Sequence, residues 1–160
     1  MQSRARFGLT CTLTGAVLLL GCVVLAAGAA QAGTLESQRK TFVAAETALK
    51  KGEYTQFLRL KGQLSDYPLL PYLEYKELRG NLAGVRAKAV QQFLEHNADT
   101  PLAGRLRSTW LNHLAARERW REYLDFFTPS KSTEKRCHYL HALIATGNRK
   151  VAFEQAEQVW

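Results

Sequence analysis

The chain has 160 residues, 22 Lys and Arg against 14 Asp and Glu for a formal charge of +8, and 46% hydrophobic content. That excludes a disordered tail and a polytopic membrane protein, and with one Cys beyond residue 32 it excludes a disulfide-stapled miniprotein. Setting aside residues 1–32 removes just two charges, Arg4 and Arg6, and leaves 128 residues at +6, which is one domain's worth of chain.

Residues 1–32 have the grammar of an export signal. Arg4 and Arg6 make a positive start, an apolar stretch follows that is densest from Ala16 to Ala30, and Ala30-Gln31-Ala32 has the small-x-small pattern of a signal peptidase site. The expected cut lies between Ala32 and Gly33. A rival reading takes Leu19-Leu20-Gly21-Cys22 as a lipoprotein box with Cys22 acylated, but the apolar run continues through Val23, Val24 and Leu25 instead of ending there. An uncleaved anchor is the third reading. With cleavage, no stable membrane anchor is expected, and the mature chain of residues 33–160 works in the periplasm.

Beyond the signal the pattern is helical throughout, with no alternating β-branched runs and no Asn-Gly hairpins. Leu35, Phe42, Ala45 and Leu49 predict a helix to Lys51, stopped by Gly52. Phe57, Leu60 and Leu64 predict a second over 54–65, broken at Asp66-Tyr67-Pro68. Pro71 suits the first turn of a third, reaching Leu78 or Arg79. Val85, Ala89, Val90, Phe93 and Leu94 mark a fourth, ending near His96. Thr100 reads as an N-cap with Pro101 behind it, opening a fifth that buries Leu102, Leu106, Trp110 and Leu114. Trp120, Tyr123, Leu124 and Phe127 form a short sixth. A seventh spans 134–146 and is closed by Gly147, and an eighth runs over 149–160.

The breaks recur. Gly52 and Gly84 are 32 residues apart and Gly84 and Gly147 are 63 apart, with the skipped step falling at Ala115-Ala116-Arg117. A step in the low thirties is that of helix-turn-helix repeats, which stack because one hairpin cannot bury its apolar face alone. The fold expected is therefore all-α, an α-solenoid or superhelix of antiparallel helical hairpins, with a plain bundle as the rival. The chain stops at Trp160 inside a helical pattern, so it reads as part of a longer protein with a sticky apolar end around 151–160.

The string Asp66-Tyr67-Pro68-Leu69-Leu70-Pro71-Tyr72-Leu73-Glu74-Tyr75 resembles a signature in the N-terminal superhelical region of soluble lytic murein transglycosylases. Leu114-Ala115-x-Arg117-x-x-Trp120, Arg136-Cys137-x-Tyr139, and Thr146-Gly147 with Ala152-Phe153 extend the resemblance over essentially all of residues 33–160. The resemblance implies a periplasmic scaffold of helical hairpins in an enzyme whose separate lysozyme-like domain cleaves the bond between N-acetylmuramic acid and N-acetylglucosamine, leaving a 1,6-anhydro end. The family's catalytic Glu-Ser pair and Gly-Leu-Met-Gln stretch have no counterpart here. Glu36-Ser37 lies beside the signal, and Met1 is the single methionine. Such cleavage needs a carboxylic acid kept protonated in a partly apolar cleft, and no Glu here has that context, so no catalytic residue and no cofactor is expected.

Individual residues carry two readings each. The resemblance implies a disulfide partner for Cys137 beyond the end of this chain, and a buried free thiol is the alternative. Cys137, His138 and His141 could be taken as a metal cluster, but three helix residues fall short of the usual four convergent ligands, so packing roles are preferred. Tyr67, Tyr72 and Tyr75 read as ties between hairpins before they read as a sugar platform. Trp110, Trp120 and Phe127 fit core spacing. Arg105, Arg107, Arg117, Arg119 and Arg121 form the densest basic group. They are either a solvated face, offset by Glu118 and Glu122, or a basic lining of Arg105, Arg107, Arg117 and Arg121 that attracts the carboxylates of peptidoglycan. The expected partners are peptidoglycan glycan strands and envelope proteins. Nucleic acid is set aside because no recognition motif is present. The competing function is a free-standing helical-repeat adaptor.

Overall fold

The computed structural model describes residues 16–157, with side chains from Thr34 onward. Eight helices follow one another among the described residues, with no strand: α1 (Ala16–Lys51), α2 (Tyr54–Lys61), α3 (Leu70–Gly80), α4 (Ala87–His96), α5 (Pro101–Ala116), α6 (Trp120–Phe126), α7 (Thr133–Ala145) and α8 (Arg149–Ala156). They pair in order as hairpins. The second helices of the four pairs begin at Tyr54, Ala87, Trp120 and Arg149, which are 33, 33 and 29 residues apart. This is the repeat step expected of stacked hairpins.

Three of the four turns are built alike. Gly52, Glu118 and Gly147 adopt left-handed backbone, with φ of 75°, 54° and 87°. In each case the next residue's amide reaches back five positions: Glu53 to the Ala48 carbonyl at 2.9 Å, Arg119 to Leu114 at 3.0 Å, and Asn148 to Leu143 at 2.7 Å. The left-handed residue's own amide bonds three back, to Leu49, Ala115 and Ile144. This is the Schellman closure, which satisfies the last carbonyls of one helix and reverses the chain into the next. Four residues past each left-handed position's neighbour, Phe57, Tyr123 and Ala152 are buried against the preceding helix.

The turn before α4 differs from expectation. Gly84 is not left-handed; it closes a six-residue loop over 81–86 by donating its amide to the Asn81 carbonyl at 3.0 Å. A Cβ on Gly84 would lie 2.7 Å from Nδ2 of the exposed Asn81 side chain, which would have to turn aside to admit it. The second helix also ends earlier than the apolar spacing suggested, at Lys61. Leu64 is fully buried, but from the turns that follow. Thr100 stands at the N-cap of α5 with extended backbone, yet its hydroxyl turns back to the Asn97 carbonyl at 2.8 Å and leaves the first turn of α5 uncapped.

α1 is longer than the expected helix, running unbroken through the Ala32–Gly33 position. The segment has no proline and is rich in Ala and Leu, so nothing in it stops a helix. Arg4, Arg6 and residues 158–160 lie outside the described residues, as do the side chains of Cys22, Ala32 and Gly33. Among the described residues, no helix is long and apolar enough to cross a membrane.

Burial falls into two clusters. Phe42, Ala45 and Ala48 of α1, Phe57 and Leu60 of α2, Leu64 and Leu73 form the first. The second gathers Val90, Phe93 and Leu94 of α4 with Leu106, Trp110 and Leu114 of α5, Tyr123 and Phe126 of α6, and Ala142 of α7. Tyr75 of α3 belongs to this larger cluster, so α3 contributes to both. Polar ties hold α3 to the first hairpin as well: Lys76 bonds Glu46 of α1, and Glu77 accepts from Lys61 at 2.6 Å and from the Tyr54 hydroxyl at 2.5 Å. On α8, Val151 and Phe153 are exposed, Phe153 at 68% of its surface.

Candidate functional site

The first helices of successive hairpins, α1, α3 and α5, pack side by side. Charge changes along this row. Between α1 and α3, Glu46 takes a hydrogen bond from Lys76 and stands 3.7 Å from Lys50. The Lys76 bond holds the Glu46 carboxyl below the usual carboxylate range, against a smaller opposing effect of burial. That is the reverse of what a general acid requires.

Between α3 and α5 the row opens into a shallow groove of about 570 Å³, lined by Tyr75, Arg79, Pro101, Gly104, Arg105, Ser108 and Thr109. Arg79 carries its guanidinium over the Tyr75 ring, 6.0 Å from the centroid. Beyond Ser108, Lys135 of α7 donates to the Ser108 hydroxyl at 2.5 Å. The five ion pairs among the described residues involve Arg39, Lys50, Lys61, Lys76 and Arg119 on the basic side, so Arg79, Arg105 and Lys135 face no carboxylate at ion-pair distance. Arg79 and Arg105 thus present unpaired guanidinium groups at a shallow, open groove.

Of the basic residues singled out in the sequence, Arg105 lines this groove and is exposed. Arg107 is half-buried on α5, two residues on and therefore on another face of that helix. Arg117 and Arg121 are exposed near the α5–α6 turn, with Arg117 about 18 Å along the helix axis from Arg105. Arg119 is committed elsewhere: it grips Glu122 with two bonds of 2.7 and 2.5 Å and lies over Trp110 at 5.8 Å. The structure thus brings Arg105 into one groove with Arg79, with Lys135 bonded to the groove's Ser108, and separates it from Arg117 and Arg121.

The other residues with two readings resolve into packing. Tyr67 meets Phe42 at 5.5 Å and Tyr75 is buried in the larger cluster, so these two tie helices together, whereas Tyr72 is exposed and holds Lys76 of its own helix over its ring at 4.5 Å. Trp110 is fully buried, and Trp120 and Phe127 pack against the same cluster. His141 and His138 flank Trp120 at 4.5 and 6.3 Å. Cys137 is an exposed free thiol on α7 instead of a buried one. Glu36 and Ser37 are exposed on α1, with Glu36 3.9 Å from Arg39.

No protein-family model matches the chain. The soluble lytic murein transglycosylase of Salmonella typhimurium is 36% identical over 141 residues, 87% of this chain and 22% of that protein. The Escherichia coli K12 protein of the same name is 33% identical over the same extent. The chain is a homologue of one part of the soluble lytic murein transglycosylases. It spans about a fifth of the length of these relatives. The crystal structure of the 70-kDa soluble lytic transglycosylase of Escherichia coli matches 79% of the chain with a TM-score of 0.68 and 34% identity, over 21% of that molecule. A complex of the 70-kDa soluble lytic transglycosylase with bulgecin A matches equally well. The all-helical hairpin stack and the resemblance read from Asp66 to Phe153 therefore agree with sequence and structure comparison alike.

Sequence reasoning missed Arg79 in the groove and Lys135, which bonds its Ser108. Arg79 follows Glu74, Lys76 and Glu77 on α3 and Lys135 sits between Glu134 and Arg136 on α7, so neither stood out as part of a basic run along the chain. Residues 79, 105 and 135 fall on the first helices of three successive hairpins, but at different positions along them, so the repeat step alone does not align them.

Proposed function

We propose that this chain is a non-catalytic scaffold region of a periplasmic lytic murein transglycosylase, whose whole enzyme cleaves between N-acetylmuramic acid and N-acetylglucosamine and leaves 1,6-anhydro ends. The observation that carries this reading is the match over 87% of the chain to 22% of enzymes of that name. In this reading residues 1–32 direct export and are cut between Ala32 and Gly33, and residues 33–160 are the first part of the scaffold. Cys137 pairs with a thiol outside this chain, which its exposure allows. The partners are peptidoglycan strands and proteins of the envelope.

The hairpins contribute shape and charge. Stacked repeats make an extended surface that holds a polymer in place while chemistry happens elsewhere. The test is to incubate the protein with purified sacculi and analyse the soluble products by mass spectrometry. No 1,6-anhydro-muropeptides are expected; their release by this chain alone would contradict the reading. The same spectrum of the exported protein is expected to begin at Gly33.

A further inference from the structure

Resting on that reading, we propose that the groove between α3 and α5 is a carboxylate-binding site for the peptide stems of murein, with Arg79 and Arg105 as its ligands and Lys135 at its end. Both arginines line one groove, and neither has an acidic partner among the described residues. Two like charges facing one groove repel each other, and an anion between them relieves that repulsion. Elsewhere on this row the fold supplies its own anion, as Glu46 does for Lys76. Between α3 and α5 it supplies none.

The geometry favours a planar oxyanion. The Arg79 guanidinium lies 6.0 Å over Tyr75 and makes no other bond among the described residues, so its fork of N–H groups is available for bidentate bonding. The groove also receives the start of α5 at Pro101, where the first turn has no acidic residue and the Thr100 hydroxyl is turned away. Gly104 keeps one wall bare inside a helix, although a Cβ there would meet nothing within 4 Å and alanine would be the better helix former. By contrast, the groove lined by Lys61, Glu74, Glu77 and His96 is mixed in sign and offers an anion no net attraction.

The test is calorimetric titration of the full chain with three ligands: a soluble disaccharide-peptide muropeptide, the same disaccharide without its peptide, and inorganic phosphate. The muropeptide is expected to bind, and Arg79→Gln/Arg105→Gln to weaken it about tenfold or more, since hydrogen bonds to charged groups are the strong ones. Arg79→Lys/Arg105→Lys, which keeps charge but not the fork, should recover part of the loss. Arg121→Gln, outside the groove, should change little. Unchanged helical circular dichroism in each variant separates lost binding from lost fold. Equal binding of muropeptide by wild type and the Gln variant would overturn the site while leaving the scaffold reading intact. Phosphate binding as tight as muropeptide, with the same sensitivity, would make it a general oxyanion site and overturn the stem assignment. Wild type that binds no muropeptide, and is not retained on sacculi either, would overturn both.

Discussion

Leu73 and Tyr75 stand two residues apart on α3 and belong to different cores: Leu73 is fully buried with Phe42, Phe57 and Leu64, while Tyr75 packs with the cluster around Trp110. Two residues along an α-helix is a rotation of roughly 200°, so α3 presents opposite faces to the two units. In a stack of hairpins each repeat touches its neighbours and little else. α3 is therefore the joint through which the first hairpin is coupled to the rest.

Leu73→Ala should loosen that joint. The expected cost is about 2–5 kcal/mol, the range for emptying a fully buried leucine site. Trp110 and Trp120 lie in the larger cluster, whereas circular dichroism reports all helices. Urea unfolding of the variant should therefore give a fluorescence transition at higher denaturant than the dichroism transition. Coincident curves would show that the two clusters do not melt separately.

The three Schellman turns predict opposite outcomes for similar substitutions. Glu118 is in left-handed backbone at a cost glycine avoids, so Glu118→Gly should stabilise by about 0.5–1 kcal/mol. Gly52→Ala and Gly147→Ala should each destabilise by about 1 kcal/mol, although a Cβ at either position meets nothing within 4 Å. Thermal denaturation of the three variants decides it, and a destabilised Glu118→Gly would refute the account of that turn.

His113 stacks on Trp110 with ring centres 5.3 Å apart. Burial first, then the positive charges of Arg117 and Arg119, push its imidazole below the ordinary 6.5. The folded state thus binds its proton less readily than the unfolded chain. Stability is full above about pH 6.5 and declines as pH falls from there toward the lowered folded value. His113→Phe keeps a ring on Trp110 but cannot titrate. Denaturation midpoints measured from pH 7.5 downward should fall less for this variant; an identical decline would place the sensitivity elsewhere.

Tyr123 is buried and donates its hydroxyl to the Lys135 carbonyl at 3.0 Å, joining α6 to α7. Burial, with a smaller push from Glu134, raises its phenol from 10.0 to about 12. The stabilisation this represents is present below pH 10 and is lost as pH rises toward 12. Tyr123→Phe is expected to cost about 1 kcal/mol at neutral pH, and to blunt the alkaline loss measured by dichroism.

Much of this architecture was legible because hairpin repeats are written in local signals. Gly52 and Gly147 mark left-handed turns, Pro101 marks a helix start, and apolar spacing marks each inner face. Glu118 was not legible as a turn, since a left-handed glutamate has no composition signal and only the repeat step pointed near it. Leu64 is buried like a helix residue but from a turn, which extended the second helix too far on paper. The groove was half legible: Arg105 was visible in a basic run, but the arginine that shares the groove with it is Arg79. Residues that meet across hairpins come from different repeats, and side-by-side packing of α3 and α5 is not a property of any one segment.

Co-sedimentation of the purified chain with murein sacculi at physiological ionic strength tests the scaffold reading most directly. Retention in the pellet is predicted, weakening as salt shortens the reach of the basic groove below its ~8 Å screening length. Protein left wholly in the supernatant, with its helices intact, would contradict it.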